Sequence, residues 1–287
     1  MTWKQLIGKR KPLKNCSSEI MFFDSHCHLQ DKRIAHSLNE IIERARNAGV
    51  RGFLCCASNE GDWQEVEKIA KNNLEVFEAL GLHPWYVMER SAEWLDKLEE
   101  ILKKNPASCV GEIGLDHCLG RDTFAVQESV FIDQLRLSAK LNRPVSIHCR
   151  KAFGRMLGIL KEHSDIRISG AIHSYSGPPD LVPAIINAGL HISFSGSLTF
   201  PNSKRAHASA AIVPADRLLV ETDSPDIKPF GCASFVNEPA NIVFVIEKLA
   251  EIRKVSVEEI ELCCWENAKR LFRSCEYNEK IQQDCIH

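Results

Sequence analysis

The sequence predicts an α/β protein folded as a closed, TIM-type (β/α)8 barrel, and three observations support this prediction. Eight short segments rich in β-branched or apolar residues recur along the chain, and helical patterns separate them. Polar residues of metal-binding types stand near the ends of most of these segments. Eight strands alternating with helices fit a closed barrel better than an open doubly wound sheet, which more often has about five to seven strands.

The predicted strands cover residues 20–24, 52–57, 76–82, 108–113, 144–148, 168–173, 190–195 and 217–222. The first helix is predicted over residues 37–49, with Ser37 as N-cap, Glu40 completing a capping box and Gly49 as the stop. A long helix is predicted over 123–142, where apolar residues keep helical spacing. Two more helices, over 239–252 and 256–273, follow the last strand.

The chain has 287 residues, of which 44% are hydrophobic and 26% charged, so one large domain over residues 20–274 accommodates all eight units. A basic arm, residues 1–19, precedes this domain and a short tail, residues 275–287, follows it. The arm is interpreted as a solvated extension, with organelle targeting or phosphate contact as alternatives. The formal net charge of −2 excludes a strongly basic protein that coats nucleic acid.

The 12 cysteines include no Cys-x-x-Cys pair, and no secretory signal peptide is evident. Free thiols and a cytoplasmic location are therefore expected, with the nucleus or an organelle as alternatives. No apolar run of membrane-spanning length is evident, so no membrane partner is predicted. No obligate protein partner is inferred.

The ends of the predicted strands carry the candidate functional residues. His26 and His28 end the first strand, and residues two apart on a strand point to the same side. Because all strand C-termini of a barrel meet on one rim, residues from six strands would converge there. These residues are His26, His28, His83, Glu112, His148, His173 and Asp223.

Neutral imidazoles and carboxylates are the ligands that a metal hydrolase needs at neutral pH. Four histidines and two carboxylates are too many for one tetrahedral ion, and they suit two ions bridged by Glu112. Asp223 is the expected partner of the water proton, either as a ligand or as a general base. The alternative is a set of structural histidines at strand ends, and so many on one rim argue against it. An imidazole-rich donor set favours zinc, manganese or iron over magnesium.

Successive motifs of the chain resemble the signatures of the TatD family of metal-dependent deoxyribonucleases, within the amidohydrolase superfamily. The resemblance spans roughly residues 21–273. The motifs are Asp24-Ser25-His26-Cys27-His28-Leu29, Gly81-Leu82-His83-Pro84, Gly111-Glu112-Ile113-Gly114-Leu115-Asp116, His148-Cys149-Arg150, His173-Ser174-Tyr175-Ser176-Gly177, Glu221-Thr222-Asp223-Ser224-Pro225, Asn237-Glu238-Pro239 and Asn267-Ala268-Lys269-Arg270-Leu271-Phe272.

The resemblance implies a TIM-type barrel that hydrolyses DNA phosphodiester bonds, as an exonuclease on single strands or strand ends. It implies two divalent ions, magnesium first, with manganese or zinc as alternatives. It assigns one ion to His26, His28, Glu112 and Asp223 and the other to Glu112, His148 and His173. Glu112 and Asp223 are the implied catalytic residues.

The chain departs from the family pattern at two places. The family often has an arginine shortly before its Asn-Glu-Pro motif, whereas this chain has Phe235-Val236. Any contribution of that arginine to phosphate binding is therefore weakened or moved to another residue. Tyr175 replaces a usual phenylalanine and is expected to add a hydroxyl near the rim.

Five further positions near the rim are interpreted individually. His83 is expected to bind substrate phosphate or metal-bound water rather than to be a primary ligand. Arg150 is expected to bind a phosphate, with an ion pair to Asp116 or Glu221 as the alternative. Trp85 could stack a nucleobase or pack on its own barrel. Cys27 and Cys149 should point into the helix layer, and the remaining histidines are treated as background: His36, His117, His163, His191, His207 and His287.

Three other functions stay open on sequence grounds. The same metals and water could hydrolyse a small ester or amide, or the ester of an aminoacyl-tRNA. Loss of the arginine before Asn237 leaves room for a scaffold that binds nucleic acid without cutting it. The chain has no nucleophile elbow, phosphate-binding P-loop or dinucleotide fingerprint, so cofactor-free hydrolysis is favoured.

Overall fold

A computed structural model describes residues 21–272 and shows one parallel sheet with the strand order β1 to β8. Each strand is hydrogen-bonded to the next along the chain, as in a (β/α)8 barrel of the TIM type. The strands are β1 (Phe22–Cys27), β2 (Val50–Cys56), β3 (Val76–Leu80), β4 (Cys109–Asp116), β5 (Val145–Arg150), β6 (Gly170–Ile172), β7 (Leu190–Phe194) and β8 (Leu218–Val220).

The seam between β8 and β1 closes the barrel through contacts just beyond the end of β8. The backbone N–H of Asp223 donates to the His26 carbonyl at 2.9 Å, and the N–H of His28 donates to the Ser224 carbonyl at 2.7 Å. The buried Asp24 carboxylate accepts from both the backbone N–H and the hydroxyl of Thr222. These bonds place the segment after β8 beside the two histidines of β1.

Helices follow the strands and cover the outside of the barrel. Their apolar faces pack on the outward side chains of the strands in one large buried cluster. Within residues 21–272 the α-helices are α1 (Leu38–Asn47), α2 (Trp63–Asn72), α3 (Trp94–Lys104), α4 (Phe124–Leu141), α5 (Phe153–Glu162), α6 (Val182–Asn187), α7 (Lys204–Ile212), α8 (Ile242–Arg253) and α9 (Val257–Phe272).

A smaller apolar cluster fills the N-terminal end of the barrel, opposite the rim that carries the site. Phe23 on β1 packs against Trp265 and Phe272 of α9, with ring centroids 6.4 and 5.7 Å apart. Gly52 on β2 leaves room for the Phe23 ring, which a Cβ at that position would overlap. Helix α9 therefore plugs this end, and side chains rather than an open pore fill the barrel.

The barrel prediction is confirmed, and the predicted strands and later helices agree with the observed ones apart from their ends. The prediction of a capping box at the first helix is wrong. Ser37 precedes α1, but its hydroxyl makes no cap bond to the helix and donates to the Ile34 carbonyl at 3.3 Å. A short 3-10 turn, Ala35–Ser37, leads directly into the helix. Gly49 follows α1 with φ 98°, as expected of a helix stop.

The predicted arm 1–19 and the whole tail 275–287, with His287, lie outside the described residues, and the proposed division into arm, domain and tail stays a prediction. In the part of the chain that the structure describes, no helix is both long and apolar enough to cross a membrane. None of the nine cysteines within that part forms a disulfide, as the sequence predicts.

Truncation of Trp265 tests the plug at the N-terminal end of the barrel. The indole is 5% exposed, and Trp265→Ala is expected to lower the free energy of unfolding by about 3–5 kcal/mol because a cavity replaces it. Phe235→Ala is the control, since that ring is 100% exposed and should change the free energy by less than about 0.5 kcal/mol. Chemical denaturation followed by circular dichroism measures both, and equal effects would contradict the plug.

Candidate metal centre

The barrel brings all the predicted ligands together at the C-terminal rim. His26 and His28 come from β1 and the loop after it, and Glu112 and His148 from β4 and β5. His173 and Asp223 stand in the loops just after β6 and β8. Three overlapping groups of side-chain atoms lie close enough to hold an ion: His26, His28 and Asp223; His26, Glu112 and His173; and His83, Glu112 and His148.

The two oxygens of the buried Glu112 carboxylate face different histidines. Oε2 lies 3.3 Å from His26 Nε2 and 3.4 Å from His28 Nε2. Oε1 lies 3.0 Å from His148 Nδ1 and 2.9 Å from His173 Nε2. Asp223 Oδ1 joins the Oε2 side, at 3.8 Å from His26 Nε2 and 3.6 Å from His28 Nε2. Glu112 therefore stands between two sets of donor atoms.

The distances between the histidine nitrogens suit metal ligands. His26 Nε2 and His28 Nε2 are 3.2 Å apart, and so are His148 Nδ1 and His173 Nε2. Two ligand atoms bound tetrahedrally to one ion at about 2.1 Å are roughly 3.4 Å apart. Two ring nitrogens that point their lone pairs at each other repel unless a proton or a cation lies between them. The donor set thus fits divalent metal ions.

In His26 and His28, the ring nitrogen Nδ1, which points away from Glu112, contacts a group behind the ring. His28 Nδ1 lies 2.8 Å from the Cys56 carbonyl, which can only accept, so Nδ1 carries the proton and Nε2 presents a lone pair. His26 Nδ1 lies 2.9 Å from the Ser146 hydroxyl. Both partners fix the ring orientation of a candidate ligand, and the carbonyl also fixes the tautomer of His28.

A carboxylate also lies behind each ring of the other pair, hydrogen-bonded to His148 and within ion-pair distance of His173. Asp116 Oδ2 lies 3.3 Å from His148 Nε2, and Glu221 Oε1 lies 3.4 Å from His173 Nδ1. Both carboxylates are fully buried. A carboxylate behind a histidine keeps the proton on that side and makes the opposite nitrogen a better ligand. This leaves His148 Nδ1 and His173 Nε2 free to bind a metal.

His83 has the opposite arrangement. Its Nδ1 accepts the backbone N–H of Trp85 at 3.1 Å, so the proton of the neutral ring is on Nε2. That Nε2 faces Glu112 Oε1 at 3.3 Å. Although His83 is close enough to share an ion with Glu112 and His148, this tautomer presents a donor. We therefore separate His83 from the ligands, as the sequence predicts.

Charge balance within the site shows in the pKa values. Burial alone raises the pKa of Glu112, but His83, His173 and His26 around it hold that pKa well below its usual range. Burial lowers the pKa of His28, but the Asp223 and Glu112 carboxylates outweigh burial and raise it to about 9. The pKa of His173 is likewise raised well above its usual value by Glu112 and Glu221, against burial. Without metal, protons on His28 and His173 would balance the charge of the two carboxylates.

Asp223 is held in an unusual backbone conformation. Its φ is 56°, in the left-handed region that non-glycine residues rarely adopt. The conformation persists because neighbouring groups determine it: its N–H donates to the His26 carbonyl, and its carbonyl accepts from the N–H of Asp226. Asn237 supports the same loop, since its side-chain amide donates to the carbonyls of Thr222 and Asp226, both at 2.8 Å.

The remaining predicted residues lie as follows. Arg150 is exposed at the end of β5, and it forms no ion pair with Asp116, Glu221 or any other residue within 21–272. Trp85 is 52% exposed beside His83. The expectation for Tyr175 is wrong: its side chain is fully buried, and its hydroxyl donates to the Pro178 carbonyl at 2.8 Å instead of reaching the rim.

Cys27 and Cys149 are buried in the outer core between strands and helices, as predicted. Burial raises the pKa of both thiols, and that of Cys149 reaches about 12. The reactive thiolate form of both is therefore disfavoured at neutral pH. The described background histidines belong to none of the groups able to hold a metal: His36, His117, His163, His191 and His207.

Sequence reasoning missed the groups that support the ligands. Asp116 and Glu221 were considered only as partners of Arg150, whereas each orients a histidine. A signal was available for both: Asp116 is four residues after Glu112 on the same strand, and Glu221 is two residues before Asp223. Residues at even spacing on a strand share a side. Ser146 gives the same signal, two residues before His148 on β5, whereas Asn237 gives none of this kind.

Comparison with known proteins gives one consistent family. The family described as TatD related DNase matches residues 23–273. The uncharacterized metal-dependent hydrolase YabD of Bacillus subtilis is 31% identical over 88% of this chain and 99% of its own. The crystal structure of YjjV, a TatD homologue of Escherichia coli, has 30% identity and a TM-score of 0.83, covering 88% of this chain and 98% of its own. A TatD family hydrolase of Entamoeba histolytica, 22% identical, has the same fold with a TM-score of 0.78, covering 88% and 98%.

The raised histidine pKa values predict how metal binding varies with pH. Without metal, the protons on His28 and His173 stabilise the fold fully below the ordinary imidazole pKa of about 6.5, and this contribution is lost as pH rises through the raised values. Metal must displace these protons. The rise in Tm caused by Mn²⁺ is therefore expected to be larger at about pH 8 than at about pH 6.

Differential scanning fluorimetry measures this difference. Glu112→Gln is the control, because loss of the shared carboxylate should leave little metal-induced rise in Tm at either pH. A rise that is equal at both pH values, or larger at the lower one, would contradict the assignment of protons to these histidines.

Variants of the supporting carboxylates test their action through the histidines. Asp116→Asn and Glu221→Gln are each expected to weaken metal affinity about 10- to 100-fold, because the rings lose their orienting acceptor. Competition with a chromophoric chelator measures the affinity. Asp226→Asn, which removes only an exposed ion pair with Arg33, should leave the affinity within about twofold. Unchanged affinity in both buried variants would remove the supporting role.

Proposed function

Since this chain belongs to the TatD family of metal-dependent hydrolases, we propose that it is a deoxyribonuclease that cleaves phosphodiester bonds at single strands or strand ends. The observation that carries the proposal is the position of Glu112, whose two oxygens face two separate sets of histidine nitrogens. One carboxylate between two donor sets is the arrangement expected of a centre with two divalent ions.

The ligands divide between the two oxygens of Glu112. His26, His28 and Asp223 would hold one ion with Oε2, and His148 and His173 would hold the other with Oε1. The family resemblance points to magnesium, whereas the imidazole-rich donor set favours manganese or zinc. When bound, such ions lower the pKa of a water molecule and polarise a phosphoryl oxygen.

The chain's own residues then manage the proton and the substrate. The water oxygen attacks phosphorus, and the bond from phosphorus to the leaving sugar oxygen breaks. Asp223 accepts the water proton; its pKa is low, although burial alone would raise it, because His28, His173 and His26 surround it. The leaving oxygen takes a proton from solvent. The fixed backbone of Asp223 keeps its carboxylate at the site through this transfer.

Two residues are proposed to bind the phosphate. His83 presents an Nε2–H toward the site, as its tautomer requires, and this group can donate to a phosphoryl oxygen. Arg150 lies at the end of β5, exposed and without an ion-pair partner among residues 21–272, so its guanidinium can form a bidentate contact. The loop after β8 lacks the family's arginine but carries another cation, Lys228. Its ammonium donates to the Ser234 carbonyl at 2.9 Å.

A metal-titrated assay on labelled DNA tests the proposal. Single- and double-stranded substrates with blocked 3′ or 5′ ends are compared with a panel of small esters, amides and an aminoacyl-tRNA. We expect metal-dependent release of nucleotides from unpaired ends. Turnover of the small substrates alone, or DNA binding without cleavage at saturating metal, would replace this function by one of the alternatives.

Two substitutions test the assignment of the catalytic residues. Glu112→Gln and Asp223→Asn are each expected to lower kcat/KM about 10²- to 10⁴-fold. The first variant removes the shared carboxylate, and the second removes the proton acceptor. Asp226→Asn is the matched control, three residues from Asp223 and 55% exposed on its side chain. Circular dichroism checks the fold of each variant. Wild-type activity in either site variant would contradict the assignment.

A further inference from the structure

Trp85 is an exposed aromatic ring at the mouth of the metal centre. The other described tryptophans, Trp63, Trp94 and Trp265, are at most 7% exposed, whereas Trp85 is 52% exposed. It follows His83 by two residues, in a short 3-10 turn, Pro84–Tyr86, on the loop after β3. A tryptophan that served only to pack the barrel would have both ring faces covered.

Hydrogen bonds from both the side chain and the backbone of Trp85 hold this exposed ring in place. The indole N–H of Trp85 donates to Asp116 Oδ2 at 2.8 Å, and the backbone N–H donates to His83 Nδ1 at 3.1 Å. The ring stands nearly perpendicular to that of His83, at 86° with centroids 5.2 Å apart. Its orientation is thus determined although half of its surface faces water.

The residue that anchors Trp85 also supports a candidate ligand. Asp116 Oδ2 accepts from the indole N–H and lies 3.3 Å from His148 Nε2, so one oxygen atom links the ring to the metal centre. A planar group that lay on Trp85 would therefore take a defined position relative to the ions. Asp116 is fully buried, which keeps this link away from solvent.

We propose that the open face of Trp85 stacks on the nucleobase next to the phosphodiester bond that is cleaved. This rests on the proposed function and narrows its substrate to unpaired nucleotides, because a base within a duplex is already stacked on both faces and must leave the helix to reach the ring. Stacking tolerates every base, so the platform selects for single strands and not for sequence.

Binding measured without turnover separates this proposal from the nuclease activity itself. Short single-stranded DNA and the same strand with one abasic position near its end are titrated against the nuclease-inactive Asp223→Asn protein. Removal of stacking by Trp85→Leu is expected to weaken binding of the intact strand about 5- to 150-fold. Binding of the strand that lacks the stacked base should change much less.

Two further variants serve as controls. The first separates the effect of the aromatic ring from that of its hydrogen bond, and the second tests whether an exposed ring elsewhere has the same effect. Trp85→Phe keeps an aromatic face but loses the indole N–H, and it should retain most of the affinity. Phe230→Leu removes a ring that is 56% exposed on the loop after β8, and it should leave binding unchanged. In the active protein, Trp85→Leu should raise KM for single strands while kcat stays within about threefold.

Each outcome decides the question. Equal losses for intact and abasic strands, a loss in Trp85→Phe as large as in Trp85→Leu, or a change in kcat alone would overturn stacking. Base-dependent binding that requires Trp85 in a protein that cleaves no DNA would support stacking and reject the nuclease. Metal-dependent cleavage that Trp85→Leu leaves unaffected would support the nuclease and reject stacking. Absence of any DNA binding would reject both the nuclease and stacking.

Discussion

The buried Glu112 carboxylate is the group on which the whole centre depends. Burial of a carboxylate is costly unless positive charge or hydrogen-bond donors surround it, and here five histidine rings approach it from two sides. The histidines need Glu112 in return: ring nitrogens 3.2 Å apart repel unless a proton or a metal ion lies between them, and the carboxylate balances that positive charge. Protons or metal ions can meet this demand, and only metal ions leave every ring neutral.

Closure of the barrel makes that arrangement geometrically available. Asp223 belongs to the last strand unit and His26 to the first, and they meet because backbone bonds join the two segments across the seam. Asp24 reinforces the seam by accepting both donors of Thr222, and burial raises its pKa to about 8 despite those bonds. Asp24 therefore has a structural role at the seam, and the candidate metal ligands begin two residues later, at His26.

The sequence allowed the barrel and the converging ligands to be predicted because both follow from local rules. Alternation of strand and helix patterns indicates the fold, and strand ends meet on one rim whatever the loops do. Ser37 and Tyr175 were misjudged because each hydroxyl found a nearby carbonyl, at Ile34 and Pro178, which propensity does not reveal. Even spacing from Glu112 and Asp223 places Asp116 and Glu221 near the site, but the histidine that each one contacts depends on the packing of neighbouring strands, which a single sequence does not specify.

The group behind each ring distinguishes histidines that proximity alone does not. His28, His148 and His173 have a carbonyl or carboxylate behind them, so each keeps its proton at the back and offers a lone pair to the centre. His83 has a backbone N–H behind it and so offers a proton. Because that N–H belongs to Trp85, whose indole also anchors to Asp116, one loop after β3 sets both the donor at the metal centre and the exposed ring beside it. The barrel supplies the candidate ligands, and this loop supplies two of the groups that we propose to contact the substrate.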